Sequence, residues 1–170
     1  MQPHILLLNG PAGVGKSTVA GHLAELCPGT VCIHGDVLRG FSSADARSHL
    51  GPGSTYRAGA ALAAAYLDMG APRVIFEYVF EGPVQIGYFT RDTPAHVAVH
   101  VVTLWAPFDV IATRERQRPG RECLGARLEA CYRSMEANLE HLGAVVFTTG
   151  VSPAHVAERL HETLPRGDSN

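Results

Sequence analysis

The sequence predicts an α/β fold: a five-stranded parallel sheet with helices on both faces. Three observations carry that expectation. Five short apolar runs alternate with helix-patterned stretches along the 170 residues, the signature of strands joined by helical crossovers. The runs are apolar at successive positions rather than at every second one, as strands buried on both faces must be. Between the first run and the first helical stretch lies Gly10-Pro11-Ala12-Gly13-Val14-Gly15-Lys16-Ser17, followed by Thr18. It satisfies G-x-x-x-x-G-K-[ST] at every constrained position.

In order, Ile5-Leu6-Leu7-Leu8 centres a strand over 4–9. Residues 16–27 are helical, with Val19, Ala20, Leu23, Ala24 and Leu26 at helical spacing and Pro28-Gly29 as the stop. A β-branched strand follows over 30–34, and Val37-Leu38-Arg39 starts a helical turn. Residues 41–53, rich in Ser, Gly, Ala and Asp, read as a surface segment with a helical turn near 44–49. Ser54 is placed as the N-cap of an alanine-rich helix over 55–69, ended by Gly70-Ala71-Pro72.

The third strand is expected over 73–80, with Glu77 near its carboxyl end. Residues 82–91 suit either a short helix or a loop. Val97, Val99, Val101, Val102 and Leu104 mark a fourth strand over 97–104, and 108–117 is helical up to Pro119-Gly120. Leu124, Leu128, Cys131, Met135 and Leu139 fall on one face of a single long helix over 122–142. A fifth strand over 144–148 and a helix capped by Ser152 and running to 164 complete one domain over 1–164, leaving 165–170 as a frayed tail.

Composition narrows the partners. Hydrophobic residues make up 46% and charged residues 18%, a globular balance. A net charge of −2 argues against a broad electrostatic footprint, so no nucleic-acid partner is expected. No apolar run reaches membrane-spanning length and no signal peptide is visible, so neither is a membrane. Cys27, Cys32, Cys123 and Cys131 lack C-x-x-C spacing, which points to reduced thiols in a cytoplasmic protein. The chain has 13 arginines and one lysine, and that lysine is Lys16. A compact ammonium is what a phosphate loop wants; a GC-rich coding sequence accounts for the arginines elsewhere.

The motif at 10–17 implies nucleoside triphosphate binding. Glycines let successive backbone N–H groups turn inward around a polyphosphate, and the following helix adds its positive end. Residues 10–18 are the candidate nucleotide contacts, with Lys16 on the β- and γ-phosphates and the Ser17 hydroxyl as a Mg²⁺ ligand. In parallel sheets ligands gather at the strands' carboxyl ends, which selects Asp36 and Glu77 as well. Asp36 and Arg39 form D-x-x-R. The carboxylate suits accepting a proton from an attacking alcohol, and the guanidinium three residues on suits an acidic group of the acceptor. Glu77 has three readings: magnesium, substrate contact or structure. Arg114-Glu115-Arg116-Gln117-Arg118-Pro119-Gly120-Arg121 puts four arginines in eight residues. A solvated charge run, with Glu115 and Glu122 pairing some of the arginines, is one reading; an arginine cover over a phosphoryl-transfer site is the other. Arg118 and Arg121 flank the Pro-Gly break and are preferred to Arg114 and Arg116.

With these residues in place, the chain resembles the small P-loop kinases: chloramphenicol phosphotransferase, gluconate and shikimate kinases, and the kinase halves of polynucleotide kinases. D-x-x-R at Asp36–Arg39 is similar to the acceptor motif of the polynucleotide-kinase-like branch, in which the Asp is the general base. R-E-x-x-R-x-x-R at Arg114–Arg121 resembles the lid of the chloramphenicol phosphotransferase branch, here about 114–124. Phe147-Thr148-Thr149-Gly150, followed by Ser152-Pro153, resembles the last strand and helix of both. The resemblance implies a single P-loop kinase domain with an Arg-rich lid. It also implies ATP and Mg²⁺ as cofactors and phosphate transfer to a hydroxyl of a small molecule. Glu77 followed by Tyr78 departs from the acid usual at the magnesium position. An antibiotic or other secondary metabolite, a sugar acid or a nucleoside fits as acceptor. A nucleotide or polynucleotide 5′-kinase and a nucleotide-binding module with slow NTPase activity are the alternatives. The mid-chain glutamines Gln85 and Gln117 sit in no recognisable switch sequence.

Overall fold

A computed structural model of the chain describes residues 3–117 and 123–164. Five strands, β1 (His4–Asn9), β2 (Val31–His34), β3 (Arg73–Glu77), β4 (Ala98–Trp105) and β5 (Ala144–Phe147), form one parallel sheet in the order β2-β3-β1-β4-β5. The crossovers hold α1 (Lys16–Leu26), α2 (Gly35–Gly40), α3 (Ala44–Leu50), α4 (Ser54–Asp68), α5 (Pro83–Thr90), α6 (Phe108–Arg116) and α7 (Ala126–Ala137), and α8 (Pro153–Thr163) follows β5. The expected fold class is the one observed.

The side-chain period of two divides the core. Leu6, Leu8 and Ile75 point to the face covered by α1, α6, α7 and α8, where they meet Val19, Leu23, Ile111, Met135 and Val156. Ile5, Leu7, Val74 and Phe76 point to the other, among Ala60, Ala63 and Phe89. On that face α4 approaches β3 closely at Gly59, where a Cβ would lie 2.5 Å from the Phe76 ring.

Several boundaries differ from expectation. The third strand ends at Glu77 rather than 80, because the Asn9 side chain takes over the pairing. Its Oδ1 accepts from Phe80 N at 2.8 Å and its Nδ2 donates to Phe80 O at 3.0 Å, so the chain leaves the sheet. The single long helix expected over 122–142 is a shorter α7 followed by a 3₁₀ turn, Leu139–His141. Gly125 precedes it at φ 52°, ψ −125°, a conformation that L side chains rarely adopt, and Asn138 ends it by donating Nδ2 to Ser134 O at 2.8 Å. The apolar spacing ran through that glycine without registering the break. Ser54 is the first helical residue of α4 rather than its cap; Gly53 sits in the αR region and carries the preceding turn straight into the helix. The stretch 82–91, which suits either helix or loop by sequence, holds helix α5, started by Pro83 in the first turn. The turn near 44–49 is a two-turn helix, α3, capped by Ser43 Oγ accepting from Ala46 N. Ser152 caps α8 as expected, accepting from His155 N. The tail at 165–170 and residues 118–122 of the expected lid lie outside the described residues.

Candidate active site

β1 is the central strand, and the loop leaves its carboxyl end. Gly10 and Gly15 carry the special backbone conformations this needs. Gly10 has φ 144°, and a Cβ there would lie 2.6 Å from the Leu104 carbonyl oxygen. Gly15 has φ 104° at the N-cap of α1, and a Cβ there would meet nothing within 4 Å. The loop therefore packs tightly at its start on β4 and opens at its end, where α1 begins without a side-chain cap. That leaves the first N–H groups of α1 aimed toward the space before them, a setting that favours an anion. Lys16 Nζ folds back along the loop, donating to Gly10 O at 2.8 Å and Pro11 O at 3.2 Å.

Asn9 holds this start in place. Besides binding Phe80, its Oδ1 accepts from Gly10 N at 2.7 Å and its Nδ2 donates to Thr103 Oγ1 at 3.1 Å. Thr103 Oγ1 donates in turn to Leu142 O at 2.6 Å. One wholly buried amide thus ties the loop to the segment after β3 and to β4. The sequence reading passed over it as the last residue of a strand.

Glu77 is register partner of both Leu8 and His34. Leu8 faces α1, so Glu77 does too, and that is where Ser17 stands in the first turn of α1. Ser17 Oγ donates to Glu77 Oε1 at 3.0 Å, and His34 Nδ1 lies 2.7 Å from the same oxygen. With the carboxylate as acceptor, Nδ1 carries the hydrogen. The Glu77 side chain is 8% exposed and the His34 side chain 43%. Since the hydroxyl hydrogen of Ser17 is given to Glu77, its oxygen lone pairs are turned elsewhere. A hydroxyl oxygen suits magnesium, which keeps waters and takes phosphate oxygens beside one or two protein ligands. Among the described residues no group of three His, Cys, Asp or Glu could hold a metal ion. The single hydroxyl oxygen that Ser17 offers would fit a magnesium ion also held by nucleotide phosphates.

A cleft of about 1330 Å³ runs from the loop past Asp36 and Arg39. Asp36 lies in the first turn of α2 and Arg39 in its last, both exposed and both lining the cleft, as the D-x-x-R spacing anticipates. Tyr78 sits behind them: burial pushes its phenol up, the Arg39 and Arg47 guanidiniums oppose this, and Asp36 adds to it. Arg47 Nη1 donates to Arg39 O at 3.3 Å and to Ser42 O, bracing α2 against α3. Tyr56 donates to Val79 O at 2.9 Å, and burial holds its hydroxyl protonated far above the usual range. Across the cleft, Cys131 is pushed up to about 11 by burial and by Glu81, with Lys16 acting the other way. Arg47, Tyr56, Tyr78, Glu81, Arg127 and Cys131 all line the cleft without having been singled out from the sequence. Tyr78 and Glu81 follow directly on a strand's carboxyl end, the signal that would have found them.

Of the arginine run, Arg114 in the last turn of α6 lines the cleft, while Arg116 turns to Thr113 Oγ1 at 3.4 Å. Arg118 and Arg121 lie outside the described residues. Glu115 is buried, and its Oε1 accepts from Leu124 N at 2.9 Å. No helix among the described residues is long and apolar enough to cross a membrane.

A family model described as an AAA domain (AAA_33) matches residues 5–142. No curated protein sequence matches the chain significantly. Among solved structures, a sugar kinase from Janibacter is similar at TM-score 0.73 and 21% identity, over 96% of this chain and 95% of that one. The tunicamycin resistance protein of Deinococcus radiodurans is similar at TM-score 0.69 and 20% identity, over 96% of each chain. A gluconokinase from Sinorhizobium meliloti is similar at TM-score 0.66 and 22% identity, over 95% of each. The resemblance drawn from the motifs thus holds at the level of fold, over nearly the whole chain.

Proposed function

The chain belongs to the AAA-domain family, and on that premise we propose that it is an ATP-dependent phosphotransferase acting on a hydroxyl of a small molecule. One observation carries the reading: the phosphate loop and the Asp36–Arg39 pair line one continuous cleft. A loop that only held or hydrolysed a nucleotide would not need a carboxylate and a guanidinium lining the same cleft.

The roles follow from chemistry at each position. ATP supplies the transferable phosphoryl group, and magnesium neutralises charge on its phosphate oxygens. The N–H groups of residues 10–18 and Lys16 hold the phosphates, and Ser17 offers its oxygen to the cation. Asp36 accepts the proton of the acceptor hydroxyl as the new O–P bond forms and the bond to the β-phosphate oxygen breaks, leaving ADP. Arg39 holds a polar or acidic group of the acceptor. Glu77 acts by fixing Ser17. Arg118 and Arg121, with Arg114, stabilise charge on the transferring group and cover the site over 114–124. Antibiotics and other secondary metabolites, sugar acids and nucleosides are the acceptor classes.

An ADP-release assay across those classes, with nucleoside monophosphates and a 5′-hydroxyl oligonucleotide included, tests the reading. Acceptor-dependent turnover is expected with a small molecule. Asp36→Asn should retain ATP affinity while turnover falls by about 10²-fold or more. ATP consumption indifferent to every acceptor, with Asp36→Asn unchanged, would point to a slow NTPase instead. Turnover with the oligonucleotide alone would make the protein a polynucleotide kinase.

A further inference from the structure

We propose that His34 is a positioning residue for the magnesium ion that accompanies ATP, acting through Glu77 on Ser17; this rests on the reading of residues 10–18 as an ATP site. The observation is a three-residue chain converging on one atom. Ser17 Oγ and His34 Nδ1 lie 3.0 and 2.7 Å from the same oxygen, Glu77 Oε1.

That convergence has a mechanical consequence. A serine hydroxyl rotates about its C–O bond, and only orientations with the hydrogen turned away present a lone pair to a cation. Glu77 takes that hydrogen. A carboxylate is itself a loose acceptor, because the terminal torsion of glutamate is broad. Held by Ser17 alone it could turn its plane, and the hydroxyl would follow. The shorter contact from His34 gives the carboxylate a second fixed point, so Oε1 stays opposite Ser17. Among the described residues these two are the hydrogen-bond donors to Glu77.

The sheet makes the contact rigid. His34 ends β2 and is register partner of Glu77 at the end of β3, so both side chains leave the same face of adjacent strands. Cys32, two residues earlier on β2, faces the same way: its thiol is pushed up by burial and then by the Glu77 charge. The Cys32 thiol donates to Ala20 O at 3.6 Å, which leaves His34 as the donor to the carboxylate from β2. An exposed histidine with no such partner would be an ordinary surface residue; here the ring nitrogen is committed to a nearly buried acid.

The test measures binding of a fluorescent ATP analogue with saturating Mg²⁺ and with EDTA. His34→Ala is expected to raise the Kd in Mg²⁺ by up to about 10-fold, the lower end of the cost of losing a partner that touches a metal ligand directly, and to leave the Kd in EDTA unchanged. His34→Asn places an amide N–H near the position of Nδ1 and is expected to bring the Mg²⁺ value back to within a few-fold of wild type. Equal losses with and without Mg²⁺, no loss at all, or a His34→Asn protein as weak as His34→Ala would each overturn the role. Melting temperatures of the nucleotide-free proteins separate these results from misfolding. Wild-type protein that binds the analogue in neither condition would overturn the ATP-site reading itself, a different failure from normal wild-type binding that His34→Ala leaves untouched.

Discussion

Replacing Asn9 with alanine should both destabilise the protein and loosen its phosphate loop. The side chain is wholly buried and makes four hydrogen bonds, to Gly10 N, Phe80 N, Phe80 O and Thr103 Oγ1. Three of these partners are backbone groups that the truncation leaves without a partner. A buried polar group stripped of its bond costs about 1–3 kcal/mol. Three such groups give a ceiling of about 9 kcal/mol and a floor of about 3. Water entering the vacated space satisfies some of them, so the expected loss is near the floor, about 3–4 kcal/mol. With a urea m-value of about 2 kcal/mol/M the unfolding midpoint falls by about 1.5–2 M. Urea titration followed by circular dichroism measures this, and nucleotide titration of the still-folded protein measures the second effect. Because Gly10 N is one of the orphaned donors, ATP affinity should drop as well. A midpoint shift under about 0.5 M with unchanged ATP affinity would show that the amide is not the tie described above.

Two further perturbations test packing and the cleft. Gly59→Ala and Gly21→Ala both add a methyl to a helical glycine, yet only the first meets an obstacle, the Phe76 ring at 2.5 Å; around Gly21 nothing lies within 4 Å. Gly21→Ala should gain about 0.5–1 kcal/mol from helix propensity, whereas overpacking of about 1–3 kcal/mol should cancel or reverse that gain at Gly59. Thermal melts that rank Gly59→Ala level with Gly21→Ala would refute the close approach of α4 to β3. For the cysteines, the thiolate is the nucleophile, and a raised pKa keeps the thiol neutral at ordinary pH. Cys131, held at about 11, is about one part in a thousand thiolate at pH 8. Iodoacetamide at pH 8 should therefore modify exposed Cys123 first and reach Cys131 only as the pH approaches 11, read by peptide mass mapping. Prompt labelling of Cys131 at pH 8 would contradict that environment.

The five-stranded parallel sheet and the loop at 10–17 were legible because each rests on local signals, apolar runs and a constrained glycine motif. Asp36–Arg39 was legible because D-x-x-R followed a strand. What escaped has a common physical cause: it depends on side chains meeting across the sheet. Asn9 reads as one more strand residue until β3 is laid beside β1 and Phe80 comes within its reach. His34 gains its partner only through the register that sets it beside Glu77. Helix α7 is shorter than the apolar face of Leu124, Leu128 and Cys131 suggests, because that face is indifferent to the backbone of Gly125, whose φ of 52° puts the helix start after it. Glu77 could not be assigned from sequence because three chemistries want a carboxylate at a strand end. Its bonds to Ser17 and His34 are what favour a place behind the loop.

The same register explains why the polar residues gather on the correct face at all. Leu8 and Glu77 are level on adjacent strands, so the last buried leucine of β1 and the glutamate of β3 share the α1 side. A slip of one residue would turn Glu77 toward Tyr56 and Phe89 and bring Phe76 to the Ser17 side. Burying a carboxylate among those rings costs several kcal/mol without a partner, so the misregistered sheet is disfavoured by the acid as well as by the apolar pattern. Asn9 adds a second stop: with both its amide atoms on Phe80, β3 cannot extend past Glu77, and Tyr78 and Glu81 are delivered to the cleft rather than into a longer strand. Asn9 and Glu77 therefore fix the sheet and also hold the phosphate loop and the start of α1, at Gly10 and Ser17. Substitutions at Asn9 and Glu77 should accordingly alter stability and nucleotide binding together.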